Sequence, residues 1–157
     1  MAQVTTLPSW WQVMPLHHDI RTNKRLDESI FAADLDQVVR DAAPLDYQDP
    51  IRFFASTYLT QGLQSLLSDV LRALAGSSVG NRIIQIETPF GGGKTHTLLA
   101  LYHLVHSRAV VMQRPDVAAV VRSAGLDTVP EARLATFVGT DPSVVNPRRQ
   151  VDGTMIH

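Results

Sequence analysis

The run Thr88-Pro89-Phe90-Gly91-Gly92-Gly93-Lys94-Thr95 holds the residue types that bind a polyphosphate. Three consecutive glycines remove side chains, so backbone N–H groups can turn inward around phosphate oxygens. A helix predicted to start at Lys94 would turn the positive end of its dipole toward the same anion. The Lys94 ammonium reaches the β- and γ-phosphates, and the Thr95 hydroxyl can ligate Mg²⁺. All of these contributions meet on one nucleoside triphosphate. ATP with Mg²⁺ is therefore the expected ligand, bound by Thr88, Pro89, Phe90, Gly91, Gly92, Gly93, Lys94, Thr95 and His96, with Thr95 on the metal.

The phosphate-loop template G-x-x-x-x-G-K-S/T is met at Gly93-Lys94-Thr95, but Thr88 stands where the template has its first glycine. That glycine normally makes the tight exit from a strand. Here Gly91 and Gly92 would supply the freedom, with Pro89 fixing the turn earlier. Glu87 can meet a water or Mg²⁺, although a solvated or capping carboxylate is the plainer reading. Phe90 at the loop tip can stack on a ligand or pack locally. His96 sits on the first helical turn, where it either approaches the phosphates or packs. His103 and His106 read as polar-face residues of the same helix.

Other chemistries find little support. The chain has no cysteine, which excludes disulfides, thiolate metal sites and cysteine nucleophiles together. There is no H-E-x-x-H pair and no nucleophile elbow. His17-His18-Asp19 is too short a fragment for a metal site, and Arg148-Arg149 reads as a solvated loop.

The elements that must carry the loop follow from periodicity. Leu26 to Ala43 is predicted as a helix capped by Asp27 or Ser29 and ended by Pro44. Asp46 to Pro50 reads as a turn whose Asp-Pro step starts the next helix. Thr60 to Ala75 has one continuous apolar stripe (Leu63, Leu66, Leu67, Val70, Leu71, Leu74), with Gly76 as its left-handed cap. Arg82 to Glu87 is β-branched and short, as in a buried parallel strand. Lys94 to Ser107 is apolar around much of its circumference, and Pro115 to Ala124 is a further helix with Gly125 past its end. Leu134 to Val138 reads as a second strand. Strand, helix, helix, strand implies a right-handed crossover and a parallel sheet. Trp10 and Trp11 are expected to tie an irregular N-terminal arm onto the domain surface.

At 157 residues the chain suits one domain. Its formal net charge of −1 gives no general pull toward nucleic acid or anionic lipid. Residues Met1 to Trp11 lack a signal-peptide pattern, and no apolar stretch approaches the ~18 residues of a membrane span. A cytoplasmic protein is expected.

The motifs Asp49-Pro50, Phe53-Phe54, Thr57-Tyr58-Leu59-Thr60, Phe90 to His96 and Phe137-Val138-Gly139-Thr140 together resemble the domain of unknown function 499 family. These are large bacterial, AAA+-like predicted ATPases found beside DNA methylases and helicases in phage-defence loci. The likeness runs from about Trp10 to His157, and its Phe-Gly-Gly-Gly-Lys-Thr-His core is quite specific. It implies a longer protein in which the acidic Mg²⁺-holding strand follows His157; Asp141 is set too far from the apolar run before it to be that residue.

The expected architecture is thus α/β: a helical region over residues 1–80, then residues 81–157 as the start of a P-loop NTPase core with a partial parallel sheet flanked by helices. The expected function is ATP binding. In the full-length protein, hydrolysis would remodel a nucleic-acid or protein partner, in further domains or a homo-oligomer. The alternative is a non-hydrolysing nucleotide-dependent switch or scaffold. This chain alone is expected to bind without turnover.

Overall fold

A computed structural model describes residues 8–14, 21, 33–77, 83–89 and 91–137. Within them the helices are α1 (Trp10–Val13), α2 (Leu35–Val39), α3 (Leu45–Gln48), α4 (Pro50–Ser56), α5 (Gln61–Leu74), α6 (Lys94–His106), α7 (Arg108–Val111) and α8 (Pro115–Ser123).

Local chemistry sets most of their ends. Asp34 caps α2 by accepting from the Asp36 N–H at 2.9 Å, while Asp27 and Ser29 lie outside the described residues. Asp49 caps α4 through the Arg52 N–H at 2.8 Å, with Pro50 in the first turn, as the Asp-Pro step predicts. Thr60 caps α5 by accepting from Leu63 N–H at 3.2 Å. At the other end of α5, Ser77 N–H bonds Arg72 C=O and Gly76 N–H bonds Ala73 C=O, the paired bonds of a Schellman stop. The same pair closes α8 through Leu126 and Gly125, and closes α2 through Ala42 and Asp41. Asp41 takes the left-handed position there (φ 56°), and its carboxylate accepts from Gln48 Nε2 at 2.7 Å.

Two expectations near this point change. The α2 helix ends at Val39, well before Pro44, because the chain reverses at Asp41; and Asp46 lies in the short helix α3. Helix α7, between Ser107 and Pro115, has no counterpart in the sequence reading.

Among the described residues there is no β-strand, which overturns the α/β fold with a partial parallel sheet. Ile83 to Glu87 joins no ladder of backbone hydrogen bonds, and Ile83 is 87% exposed. Leu134 to Phe137 likewise joins no ladder, and Phe137 is 68% exposed. Arg82 and Val138 lie outside the described residues. A β-branched run fits a pleated surface, yet a strand exists only where a second strand supplies the facing N–H and C=O groups.

The core instead sits between helices. Leu99, Ala100 and Leu104 of α6 are fully buried, against Val38 of α2, Phe53 and Phe54 of α4, and Val111 of α7. Helix α5 packs on α8, joining Leu67 and Leu71 to Val117 and Val121 in the same core. Residues from both sides of position 80 therefore share one apolar cluster. The all-round apolar character of α6 is satisfied by the helices α2, α4 and α7, where a sheet was expected.

Three side chains run against expectation. Trp10 and Trp11 are 66% and 64% exposed and meet only edge to face with each other, at 5.8 Å; adjacent helical residues diverge and cannot both face the domain. His103 lies inside the core, 2% exposed, with Nε2 donating to Tyr47 C=O at 2.7 Å. His106 is exposed and stacks on Tyr102 at 5.0 Å.

Burial pushes the His103 imidazole below its ordinary pKa, and burial does the same to His96. The unfolded chain therefore binds more protons than the folded one just below the usual imidazole value of ~6.5. Stability should be fully present above that pH and be lost as pH falls below it, until the lowered folded values are passed. Urea midpoints measured from pH 7.5 to 5 should fall, and His103→Gln should flatten that slope while still donating to Tyr47. An equal slope in the variant would remove His103 as its cause.

Candidate functional site

The glycine loop is built by a reversal in the backbone at two points. Gly91 and Gly93 have φ of 80° and 78°, values that L side chains avoid, and Gly92 N–H closes a turn onto Pro89 C=O at 3.1 Å. Gly92 is held for a different reason. A Cβ there would overlap Thr88 Cβ and come within 3.0 Å of Pro89 O. At Gly91 and Gly93 an added Cβ would meet open space, so backbone conformation alone demands glycine.

Gly93 is also the N-cap of α6, and no side chain caps that end. The first intrahelical bond runs from Thr97 N–H to Gly93 C=O at 2.8 Å, and the Thr97 hydroxyl donates to the same oxygen at 3.0 Å. The N–H groups of the first turn thus face outward at the mouth of the loop, as at any α-helix start.

Lys94 is the first residue of α6, and its ammonium folds back over the loop. Nζ donates to Thr88 C=O at 2.9 Å, Thr88 Oγ1 at 3.2 Å and Pro89 C=O at 3.3 Å. Thr88, the departure from the glycine template, supplies two of these three acceptors. All three are neutral and exposed, so they hold the ammonium weakly compared with an anion.

Thr95 follows on the same turn, half-buried. His96 points inward: its ring lies 4.7 Å from the Phe53 ring, and Nε2 is 2.9 Å from Thr57 Oγ1. Thr57 is 8% exposed and donates its hydroxyl proton to Phe53 C=O at 2.6 Å. Glu87 is exposed, and its carboxylate accepts from Gln85 Nε2 at 2.5 Å.

The structure thus gathers Thr88, Pro89, Gly91, Gly92, Gly93, Lys94 and Thr95 at one helix start, with His96 turned to the core. Phe90 lies outside the described residues, as do His17-His18-Asp19, Asp141 and Arg148-Arg149. Sequence reading assigned no role to Phe53 or Thr57. Their spacing of four across the end of α4, which lets a threonine hydroxyl reach back to a carbonyl, was the available signal.

Two clefts of about 340 and 370 Å³ lie elsewhere, sharing Tyr102 and His106 at the far end of α6. Neither is lined by the glycine loop, which stands on an open surface. Among the described residues no group of His, Asp and Glu side chains could by itself hold a metal ion. No helix among them is long and apolar enough to cross a membrane.

Residues 14–129 match the family described as the DUF499 N-terminal domain. No curated protein and no solved structure matches the chain.

The two kinds of glycine predict opposite effects of an added methyl. Gly93→Ala should cost about 1–2 kcal/mol, the strain of a left-handed alanine. Gly62, inside α5 with nothing within 4 Å of a Cβ, should gain up to about 1 kcal/mol as alanine. Denaturant unfolding of both variants checks this; a neutral Gly93→Ala would mean that the left-handed turn is not held.

Proposed function

This chain belongs to the DUF499 family, carrying its N-terminal domain, and on that premise we propose that the loop from Thr88 to Thr95 binds the phosphates of ATP with Mg²⁺. The observation that carries the reading is the Lys94 ammonium, resting on three neutral oxygens at the uncapped start of a 13-residue helix. A phosphate oxygen offers the same ammonium a charge-assisted bond, about twice as strong as a neutral one. The outward N–H groups of the first turn and its dipole end favour the same anion.

The residues fit the group on further counts. Open space beside Gly91 and Gly93 leaves the backbone accessible to a bulky anion, while the Gly92 turn excludes any side chain. Thr95, on the turn that carries Lys94, would hold the Mg²⁺. A bound Mg²⁺ would supply neutralisation of the phosphate charge. Lys94 neutralises phosphate charge, and the loop glycines keep the approach clear.

Binding here asks for the loop and the helix start, not for a sheet. In the full-length protein, this binding feeds hydrolysis of the AAA+ type, coupled to remodelling of a nucleic-acid or protein partner in phage defence; the family resemblance supports that part of the proposal. A second reading, a nucleotide-dependent switch without hydrolysis, draws on Glu87. That nearest acidic neighbour of the loop is engaged by Gln85, and no other described carboxylate adjoins the loop in sequence to orient a water.

Lys94→Ala should abolish ATP binding while leaving the fold intact, a loss of about 2–4 kcal/mol. Isothermal calorimetry with an ATP analogue and Mg²⁺ reads it, and equal affinity in variant and parent would sink the site. Thr95→Ala should weaken binding mainly when Mg²⁺ is present. Affinities measured in Mg²⁺ and in EDTA separate the cases; an identical loss in both would assign Thr95 to phosphate or to helix capping.

A further inference from the structure

Helix α6 begins with exposed residues, and the side chain of its third residue, His96, reaches back to the body. His96 reaches Thr57 at the corner between α4 and α5, a contact that spans 39 residues of sequence. The hydrogens in this contact can be assigned. The Phe53 carbonyl can only accept, and it lies 2.6 Å from Thr57 Oγ1, so the hydroxyl proton goes there. Oγ1 then has only lone pairs for His96, and the ring hydrogen sits on Nε2. Nδ1 is left bare. Phe53 closes one face of the ring.

We propose that His96 is a positioning residue for the phosphate loop: through its Nε2–H bond to Thr57 and its seat on Phe53 it fixes the rotation of the first turn of α6, and so aims Lys94, Thr95 and their N–H groups at the phosphates of Mg²⁺-bound ATP. The proposal rests on the nucleotide-binding reading above. A helix start without a capping side chain is free to fray or turn about its axis. Residue three of the helix shares that turn with Lys94 and Thr95, so pinning its ring to a buried hydroxyl orders all three donors before the ligand arrives. Preorganised donors bind more tightly because less order is lost on binding. The same bond makes the corner after α4 part of the site: occupancy of the loop and the setting of Thr57 are coupled.

The test uses the whole chain with ATP and Mg²⁺ as the probe. Thr57→Val removes the hydroxyl, and His96→Phe keeps the packing on Phe53 without the donor. Each should weaken ATP binding about 3- to 10-fold, the worth of one hydrogen bond. Thr57→Ser and His96→Gln restore an acceptor and a donor at the same places, and both should bind within about twofold of the parent chain, a rescue that packing alone does not give. Imidazole ¹⁵N shifts of the parent chain should show His96 protonated on Nε2 and bare on Nδ1, a readout that needs no variant to fold. Parent-like affinity in both Thr57→Val and His96→Phe, or a ring proton on Nδ1, overturns the positioning role. If Lys94→Ala abolishes binding in the same series, the nucleotide reading survives that result. If Lys94→Ala binds as well as the parent, the nucleotide reading itself fails.

Discussion

Burial of helix α6 is the constraint on which the other elements depend. Its residues from Leu99 to Val105 include four apolar side chains at or below 8% exposure besides Ala100, and a histidine at 2%. A fully buried leucine contributes roughly 1.5–3 kcal/mol, so Leu99 and Leu104 alone supply a sizeable share of a small domain's margin. That helix needs cover on several sides at once. Helices α2, α4 and α7 provide it, and α4 brings the Phe53 ring that touches both His96 and His103. The two imidazoles are thus buried by one aromatic side chain, and each uses Nε2 on a fixed oxygen of an earlier element.

The same helix ends on the surface at Lys94, and the contrast between its two parts explains the loop. In the middle, packing determines every side chain. At the start, Gly91 to Lys94 are exposed, and geometry comes from the backbone: two left-handed glycines, one glycine squeezed against Thr88, and a lysine satisfied by the loop's own oxygens. Thr88 shows how a departure from the phosphate-loop template can be absorbed. A glycine there would leave Lys94 with the two carbonyls alone, whereas threonine adds a hydroxyl acceptor at 3.2 Å.

What holds the loop to the body is a short chain of bonds from Lys94's neighbour His96 to Thr57 and on to the Phe53 carbonyl. It links residues on both sides of position 80, where the sequence suggests a change from a helical region to a separate core. The shared apolar cluster makes the same link through packing. The loop is therefore a feature of the whole helical body, anchored through α4.

Much of this was legible in the residues. The periodicity of Leu63 to Leu74 and of Leu98 to Val105 sets those helices, since burial of a stripe or a full circumference is written at a spacing of three and four. Thr60, Asp49-Pro50, Gly76 and Gly125 mark helix ends because caps are local chemistry, decided within five residues. The turn of Gly91 to Gly93 and the helix start at Lys94 are legible for the same reason: left-handed glycines and a helix N-terminus are local. The tertiary structure alone decided three things. It left Ile83 to Glu87 and Leu134 to Phe137 without a ladder among the described residues, because a ladder depends on a partner that no β-branched run contains. It put His103 in the core, since a polar side chain is buried only where a distant carbonyl, here Tyr47, accepts its proton. And it turned His96 toward Thr57, a partner 39 residues away that periodicity cannot locate.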